Sequence, residues 1–111
     1  MRDRQALADA VRGIDATGLT AGTGGTHPSA TVIAGDPEVT DTLSVRGQPV
    51  TLRRHVLSFF QGNRYLLADL VERVSADISA EDRVVDLYAG AGLFTLAAAA
   101  CGARVIAVEG D

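Results

Sequence analysis

Residues that often form metal sites or disulfides are scarce in this sequence. There is one cysteine among 111 residues, so an internal disulfide is excluded and there is no Cys-x-x-Cys metal signature. The two histidines, His27 and His55, are too far apart in sequence to form a spaced ligand pair, and no metal site is expected. The N-terminus lacks the apolar core of a signal peptide, and no stretch approaches the roughly 18 apolar residues of a membrane span. We therefore expect a soluble, cytoplasmic protein.

Positive charge is in the minority as well. Lys and Arg together number 10, against 14 Asp and Glu, so the net charge is -4. Domains that bind nucleic acid through general electrostatics are usually markedly basic, which argues against a strongly basic module of that kind. The length is sufficient for one small domain with a hydrophobic core.

Residues 1–57 are predicted to hold a helix, a flexible loop and a short antiparallel β meander. Leu7, Val11 and Ile14 recur at helical spacing. Residues 16–30 contain four glycines and a proline, which indicates a flexible loop, and no Lys-Ser or Lys-Thr pair follows those glycines as a P-loop requires. The runs ATVIAG, DTLSV and PVTLRRHVL then predict strands, with a hairpin turn at residues 46–48.

Residues 58–111 are predicted to form a helix followed by one βαβ unit. Asn63 is placed to cap the helix, and its apolar face comprises Leu66, Leu67, Leu70, Val71 and Val74. The strand VVDLY, the turn AGAG, a helix from about Leu93 to Cys101 and the strand ARVIAVE follow. A lone βαβ unit has exposed strand edges, whereas parallel sheets normally have both faces covered. We therefore expect an α/β fold that is the front part of a Rossmann-like domain, truncated after its second strand.

The turn between those two strands has features of an adenosine site. In open α/β sheets, ligands bind at the carboxyl ends of the strands, near the N-terminus of a helix. Gly90 and Gly92 allow close approach to the backbone, and Glu109 ends the second strand, where a carboxylate can accept hydrogen bonds from two ribose hydroxyls. The alternative is that AGAG is merely a tight connection between strand and helix.

The residues around the turn favour S-adenosylmethionine over NAD. The NAD fingerprint has a third small residue after the two glycines, and Thr95 occupies the corresponding position here. The negative charge of Asp86, before the turn, would repel a pyrophosphate but suits the positively charged, amino-bearing tail of S-adenosylmethionine. Together with the glycines and Glu109, Asp86 therefore indicates methyl transfer.

Two motifs in this region resemble the RNA uracil-5-methyltransferases, which make 5-methyluridine in tRNA and rRNA. That family shows Phe-x-Gln-x-Asn before the methyltransferase fold, and then Asp-Leu-Tyr/Phe-Cys-Gly-x-Gly. Phe59, Gln61 and Asn63 match the first motif, and DLYAGAG at residues 86–92 matches the second except at Ala89. The resemblance covers residues 41–111. It implies a class I methyltransferase domain that begins near residue 58 and follows the end of an RNA-facing region.

The resemblance also implies roles for individual residues. Gln61 and Tyr88 would contact the cofactor, Gln61 towards its methionine part, and Glu109 would bind the ribose. Ala89 replaces the cysteine of many relatives, a small-for-small change that is expected to affect packing only. Leu93 replaces an asparagine that contacts the cofactor in several relatives, which places that contact in question. The expected cofactor site comprises Gln61, Asp86, Tyr88, Gly90, Gly92 and Glu109.

The family's reaction requires a cysteine thiolate that adds to C6 of uracil and a general base that removes the C5 proton. In relatives these groups lie later in the catalytic domain. Cys101 follows four alanines at the far end of the helix, and a packing role is expected for it. No catalytic residue is therefore expected in this chain, which on its own is expected to be inactive.

RNA is the partner that the resemblance implies, and one segment is locally basic. Between Asp41 and Asp69 there is no acidic residue but there are four arginines, namely Arg46, Arg53, Arg54 and Arg64. These either contact phosphates or form a solvated strand face. Two other functions stay open for the chain: a non-catalytic adenosine-binding or regulatory module, and a methyltransferase that acts on protein or small molecules.

Overall fold

The computed structural model describes residues 4–23, 29–58 and 60–110, and within them the chain is mixed α/β with three helices and six strands. The elements follow one another as α1 (Arg4–Ala10), β1 (Gly18–Thr23), β2 (Ser29–Gly35), β3 (Glu38–Val45), β4 (Gln48–His55), α2 (Leu67–Ser75), β5 (Arg83–Leu87), α3 (Leu93–Ala100) and β6 (Arg104–Val108). The strands form three two-stranded sheets, β1–β2, β3–β4 and β5–β6. Two compact units result, one of Met1–Val39 with His55–Leu57 and one of Thr40–Arg54 with Ser58–Asp111.

The first unit contains α1 and the antiparallel β1–β2 sheet. The predicted N-terminal helix is confirmed, although it ends at Ala10 and the chain then turns towards Gly13. Arg4 attaches the helix to β2, because its Nη2 donates to the carbonyl oxygens of Val32 at 3.0 Å and Ile33 at 3.1 Å.

The prediction of a flexible loop over residues 16–30 is wrong for Gly18–Thr23, which form β1, and for the start of β2. Two glycines are present because two backbone segments pass very close together. A Cβ atom on Gly35, whose φ is +76°, would lie 2.2 Å from the carbonyl oxygen of Thr17, and one on Gly18 would lie 2.4 Å from that of Asp36. Glycine here permits close approach rather than flexibility. Residues 24–28 of the predicted loop lie outside the described residues.

The predicted strands from residue 30 to residue 57 are present, but they do not form one meander. The partner of β2 is β1, and β3 pairs only with β4. The hairpin at residues 46–48 is confirmed as a two-residue connection through Arg46 and Gly47. Their φ values, 49° and 77°, are both positive, as a type I′ turn between antiparallel strands requires.

The core of the second unit lies between the β3–β4 hairpin, α2 and α3. The helix α2 buries Leu67, Val71 and Ser75, which are spaced four residues apart on one face. Leu67 and Val71 pack in a cluster that also contains Val45, Leu52, Leu93 and Ala97. The predicted apolar face is therefore correct for Leu67 and Val71, whereas Leu66 and Val74 are exposed. The Oγ atom of Ser75 is buried and has no hydrogen-bond partner among the described residues.

The predicted N-cap at Asn63 is wrong by about one turn. The helix begins later, with Leu66 as its N-cap and no side-chain capping bond. Asn63 instead closes the turn before the helix, where its Oδ1 accepts the N–H groups of Tyr65 at 3.1 Å and Leu66 at 3.3 Å. Asparagine forms such local turns as readily as helix caps.

The predicted βαβ unit is confirmed. The strands β5 and β6 pair in parallel, with register from Arg83 opposite Arg104 to Leu87 opposite Val108. The connecting helix α3 buries Ala97 and Ala98, whose small side chains permit a close approach. The other side of the sheet is exposed at Val85, Leu87, Ile106 and Val108.

Candidate functional site

The connection between β5 and α3 is a tight turn whose backbone is largely left-handed. Tyr88, Gly90 and Gly92 have φ values of 59°, 56° and 87°. The N–H of Ala89 donates to the carbonyl oxygen of Val108 at 3.0 Å, which continues the pairing with β6 beyond the strand. Glycine adopts left-handed backbone at no steric cost, but tyrosine does not. The turn therefore holds one strained residue, Tyr88, whose side chain is 89% exposed.

Glu109 is bonded directly to this turn. It follows β6, and its Oε2 accepts the N–H of Gly90 at 2.6 Å while its Oε1 accepts the N–H of Gly110 at 3.0 Å. The parallel register explains the contact, because Leu87 and Val108 are paired and the residues that follow them leave the sheet at the same edge. An ionised carboxylate has about four acceptor positions. Both oxygens of Glu109 can therefore accept further donors from a ligand.

Asp86 lies near the end of β5 and is half-buried. Its Oδ2 accepts the hydroxyl of Thr95, on α3, at 2.6 Å. This bond ties the strand to the helix across the turn. In the sequence, Thr95 was notable only as a mismatch to the NAD fingerprint, and this role was not predicted. The signal was available, because a hydroxyl in the first turn of a helix that follows a strand-end carboxylate is placed to bond back to it.

A small groove opens beside the turn, with a cavity volume of about 50 Å³. Its lining residues are Phe60, Gln61, Tyr88, Ala89, Gly90, Ala91, Leu93 and Phe94. Three of the six predicted site residues line this groove, namely Gln61, Tyr88 and Gly90. Glu109 is bonded to Gly90, and Asp86 and Gly92 lie on either side of the turn. The two phenylalanines were not singled out from the sequence. Phe59 of the first motif lies outside the described residues.

Leu93 belongs both to the groove and to the hydrophobic core. It is buried against the cluster that contains Val71 and Ala97. An asparagine at this position would bring an amide to the apolar core, where it would need hydrogen-bond partners. Leucine at this position therefore has a packing explanation. Ala89 is half-buried in the groove wall.

The four arginines of the basic segment differ in their surroundings. Nη2 of Arg46 donates to the carbonyl oxygen of Ser75, the last residue of α2, at 2.6 Å, and to that of Ile78 just after the helix. Nε of Arg54 donates to Oδ2 of Asp41 at 2.9 Å, and only 14% of its side chain is exposed. Arg46 therefore caps a helix from an exposed position, and Arg54 forms a largely buried ion pair. The side chain of Arg64 is 79% exposed, and Arg53 is exposed as well.

Cys101 lies at the C-terminal end of α3, the end opposite the glycine turn. It is half-buried and packs against the core cluster. Its Sγ lies 4.0 Å from the carbonyl oxygen of Ser75. This environment suits a small apolar side chain.

The described residues hold no group of three or more His, Cys, Asp or Glu side chains that could bind a metal ion. None of the helices in residues 4–23, 29–58 and 60–110 is long and apolar enough to cross a membrane.

A comparison with protein-family models gives no match to the chain, and a search of curated proteins gives no significant match.

Proposed function

We propose that residues 58–110 form the S-adenosylmethionine-binding start of a Rossmann-like methyltransferase domain, and that the protein methylates C5 of uridine in RNA. The observation that carries the cofactor proposal is the bond between Glu109 and the N–H of Gly90. It shows that the acidic strand end and the glycine turn meet at one edge of a parallel sheet. Binding of ligands at this edge is general for open α/β sheets.

The proposed roles follow from this placement. Glu109 accepts hydrogen bonds from the two ribose hydroxyls and keeps Gly90 in position at the same time. Gln61 and Tyr88, on the wall of the groove, contact the methionine part and the body of the cofactor. The negative charge of Asp86 favours the positively charged tail, and its bond to Thr95 restrains the carboxylate. The bound cofactor supplies an electrophilic methyl group; this chain's residues bind and orient it.

The RNA substrate is proposed from the two motifs together. The structure gives the first motif a physical role, because Gln61 lines the groove and Asn63 closes the turn that precedes α2. Attack on uracil C6 requires a thiolate. The only cysteine of the chain, Cys101, packs at the wrong end of α3. The chain therefore supplies the cofactor part of the site, and the nucleophile comes from outside these residues.

The same position of Cys101 favours a second candidate, a non-catalytic adenosine-binding module. Nucleoside analysis separates the two. The natural protein that contains this chain is incubated with S-adenosylmethionine and an undermodified mixture of tRNA and rRNA, and 5-methyluridine is measured by mass spectrometry. The proposal predicts new 5-methyluridine. Cofactor binding without any methyl transfer would favour the module, and methylation of protein or small molecules alone would favour a different methyltransferase.

Cofactor class is tested by titration calorimetry of this chain with S-adenosylhomocysteine and with NAD. We expect S-adenosylhomocysteine to bind at least about tenfold more tightly, a difference of about 1.4 kcal/mol. The variant Asp86→Asn keeps an acceptor for the hydroxyl of Thr95 but removes the negative charge. The difference in affinity between S-adenosylhomocysteine and NAD should therefore become smaller. Tighter binding of NAD would contradict the proposed cofactor.

A further inference from the structure

A buried carboxylate lies behind the segment that carries Gln61. Asp41, on β3, is 8% exposed. Its Oδ2 accepts Nε–H of Arg54 at 2.9 Å, and its Oδ1 lies 3.5 Å from Nη2 of Arg64. A carboxylate in such a position requires charged or hydrogen-bonding partners, since losing them leaves an uncompensated buried charge. The two arginines are therefore fixed by the same acid.

Arg54 passes this restraint on to Phe60. Its guanidinium carbon lies 4.1 Å from the centroid of the Phe60 ring, within the range of a cation–π contact. Arginine can form a directional bond to a carboxylate and stack on an aromatic face at the same time, because its guanidinium group is planar. Phe60 in turn packs against the core cluster and lines the groove.

The two arginines therefore restrain both ends of one short segment. At its start, Phe60 is held through Arg54, and at its end, Arg64 reaches Asp41 directly. Gln61 lies between these points and faces the groove beside the glycine turn. The segment has no helix or strand hydrogen bonds of its own. It is restrained by these arginine contacts, by the packing of Phe60 on the core cluster and by the turn that Asn63 closes.

We infer that Asp41 and Arg54 are positioning residues that hold Gln61 against the cofactor groove. The inference rests on the proposed function in that the ligand of Gln61 is taken to be S-adenosylmethionine. It assigns the buried arginine of the hairpin to cofactor affinity instead of RNA binding. Asp41 and Arg54 touch no ligand themselves and act only through the segment from Phe60 to Arg64.

The test uses Arg54→Met, which keeps an aliphatic stem and removes the charge. The matched control is Arg73→Met, the same substitution at an exposed position of α2. The first readout needs no ligand: ¹⁵N relaxation of the backbone amide of Gln61. We expect its order parameter to fall from about 0.85, typical of rigid backbone, towards 0.6 in Arg54→Met and to stay unchanged in Arg73→Met. An unchanged order parameter in folded Arg54→Met would overturn the inference.

The second readout is affinity for S-adenosylhomocysteine, measured in a double-mutant cycle with Gln61→Ala. If the competent arrangement of the segment falls to about a third to a tenth of the population, Arg54→Met weakens binding about threefold to tenfold. In the Gln61→Ala background the same substitution should then have almost no further effect. An equal loss in both backgrounds would show that Arg54 does not act through Gln61.

A second variant covers the case in which Arg54→Met does not fold. Arg54→Met could fail to fold because Asp41 loses a partner, and the double variant Asp41→Asn with Arg54→Met removes that buried charge while still releasing Phe60. If the wild-type chain binds no S-adenosylhomocysteine, the proposed function fails. The relaxation measurement then decides the positioning role by itself.

Discussion

Tyr88 provides a prediction in which stability and ligand affinity change in opposite directions. Its φ of 59° is left-handed, a conformation that costs a non-glycine residue about 1–2 kcal/mol. Its side chain is 89% exposed and so contributes little burial. Asparagine tolerates left-handed backbone much better. We expect Tyr88→Asn to recover about half of that cost, or about 0.5–1 kcal/mol of stability around the turn.

Tyr65 offers a matched control. It is 95% exposed, and it is not among the described residues with positive φ. Tyr65→Asn removes the same side chain without relieving any strain. Amide hydrogen exchange in β5 and α3 reports the free energy of local opening. In Tyr88→Asn, exchange of these amides should slow about twofold to fivefold, using 1.4 kcal/mol per decade, whereas in Tyr65→Asn it should not change.

The affinity of Tyr88→Asn for S-adenosylhomocysteine should decrease. Tyr88 lines the groove, so its loss should weaken binding of S-adenosylhomocysteine about threefold to tenfold, an effect of about 0.7–1.4 kcal/mol. A stabilised variant with weaker binding is the pattern expected where strain is retained for function. Faster amide exchange in Tyr88→Asn would contradict this prediction, and so would slower exchange with wild-type affinity for S-adenosylhomocysteine.

Three other substitutions test the account. Glu109→Gln removes the charge that we propose faces the ribose, and it should weaken S-adenosylhomocysteine binding about tenfold to a hundredfold, or about 1.5–3 kcal/mol. Cys101→Ala should leave the calorimetric affinity unchanged; a large loss in this variant would mean that the site is misplaced. Gly35→Ala should lower the free energy of unfolding by about 1–3 kcal/mol more than Gly13→Ala does. Both positions have positive φ, but of the two only Gly35 faces backbone atoms within 3 Å. Equal protection of the β1–β2 amides from exchange in the two variants would contradict this. Ser75→Ala should stabilise the second unit by about 1 kcal/mol in urea unfolding, because it removes a buried hydroxyl without a partner and improves helix propensity; destabilisation would reveal a partner for that hydroxyl.

The sequence was sufficient for the elements whose signals are local. The βαβ unit follows from two apolar runs separated by a glycine turn and a helical run. The hairpin at Arg46 and Gly47 follows from turn residues between two alternating strands. In both places, the periodicity and the turn chemistry indicate the same structure.

Features that depend on distant partners were missed. The first strand, β1, was predicted to be a loop because its glycines were taken as flexible. Gly18 of β1 is required by the backbone of Asp36, and Gly35 of β2 by the backbone of Thr17, a close approach that no local pattern reveals. Likewise, Arg54 looked like a surface charge because the sequence does not show which residue of β3 faces it. Pairing Asp41 with Arg54 requires the strand pairing and side-chain placement seen in the structure.

The candidate site was predicted in outline but not in its internal bonds. Gln61, Tyr88 and Gly90 do lie around one groove, and Glu109 reaches the turn. The bond from Thr95 to Asp86 and the restraint on Phe60 were not foreseen, because both depend on where α3 and the hairpin pack. The spacing of residues in a sequence can indicate which residues lie at such a site. It does not identify the side-chain contacts that hold those residues in place.

The most direct measurement of the central claim is an NMR titration of the ¹⁵N-labelled chain with S-adenosylhomocysteine. We expect saturable shift changes at the amides of Gln61, Gly90 and Gly110 and at the backbone of Tyr88 and Glu109. We expect no comparable change in β1 or β2. Binding in which the ribose engages Glu109 should perturb the N–H of Gly90 most strongly, since that group donates to the same carboxylate. No saturable change, or changes confined to residues away from the turn, would contradict the claim that this groove binds S-adenosylmethionine.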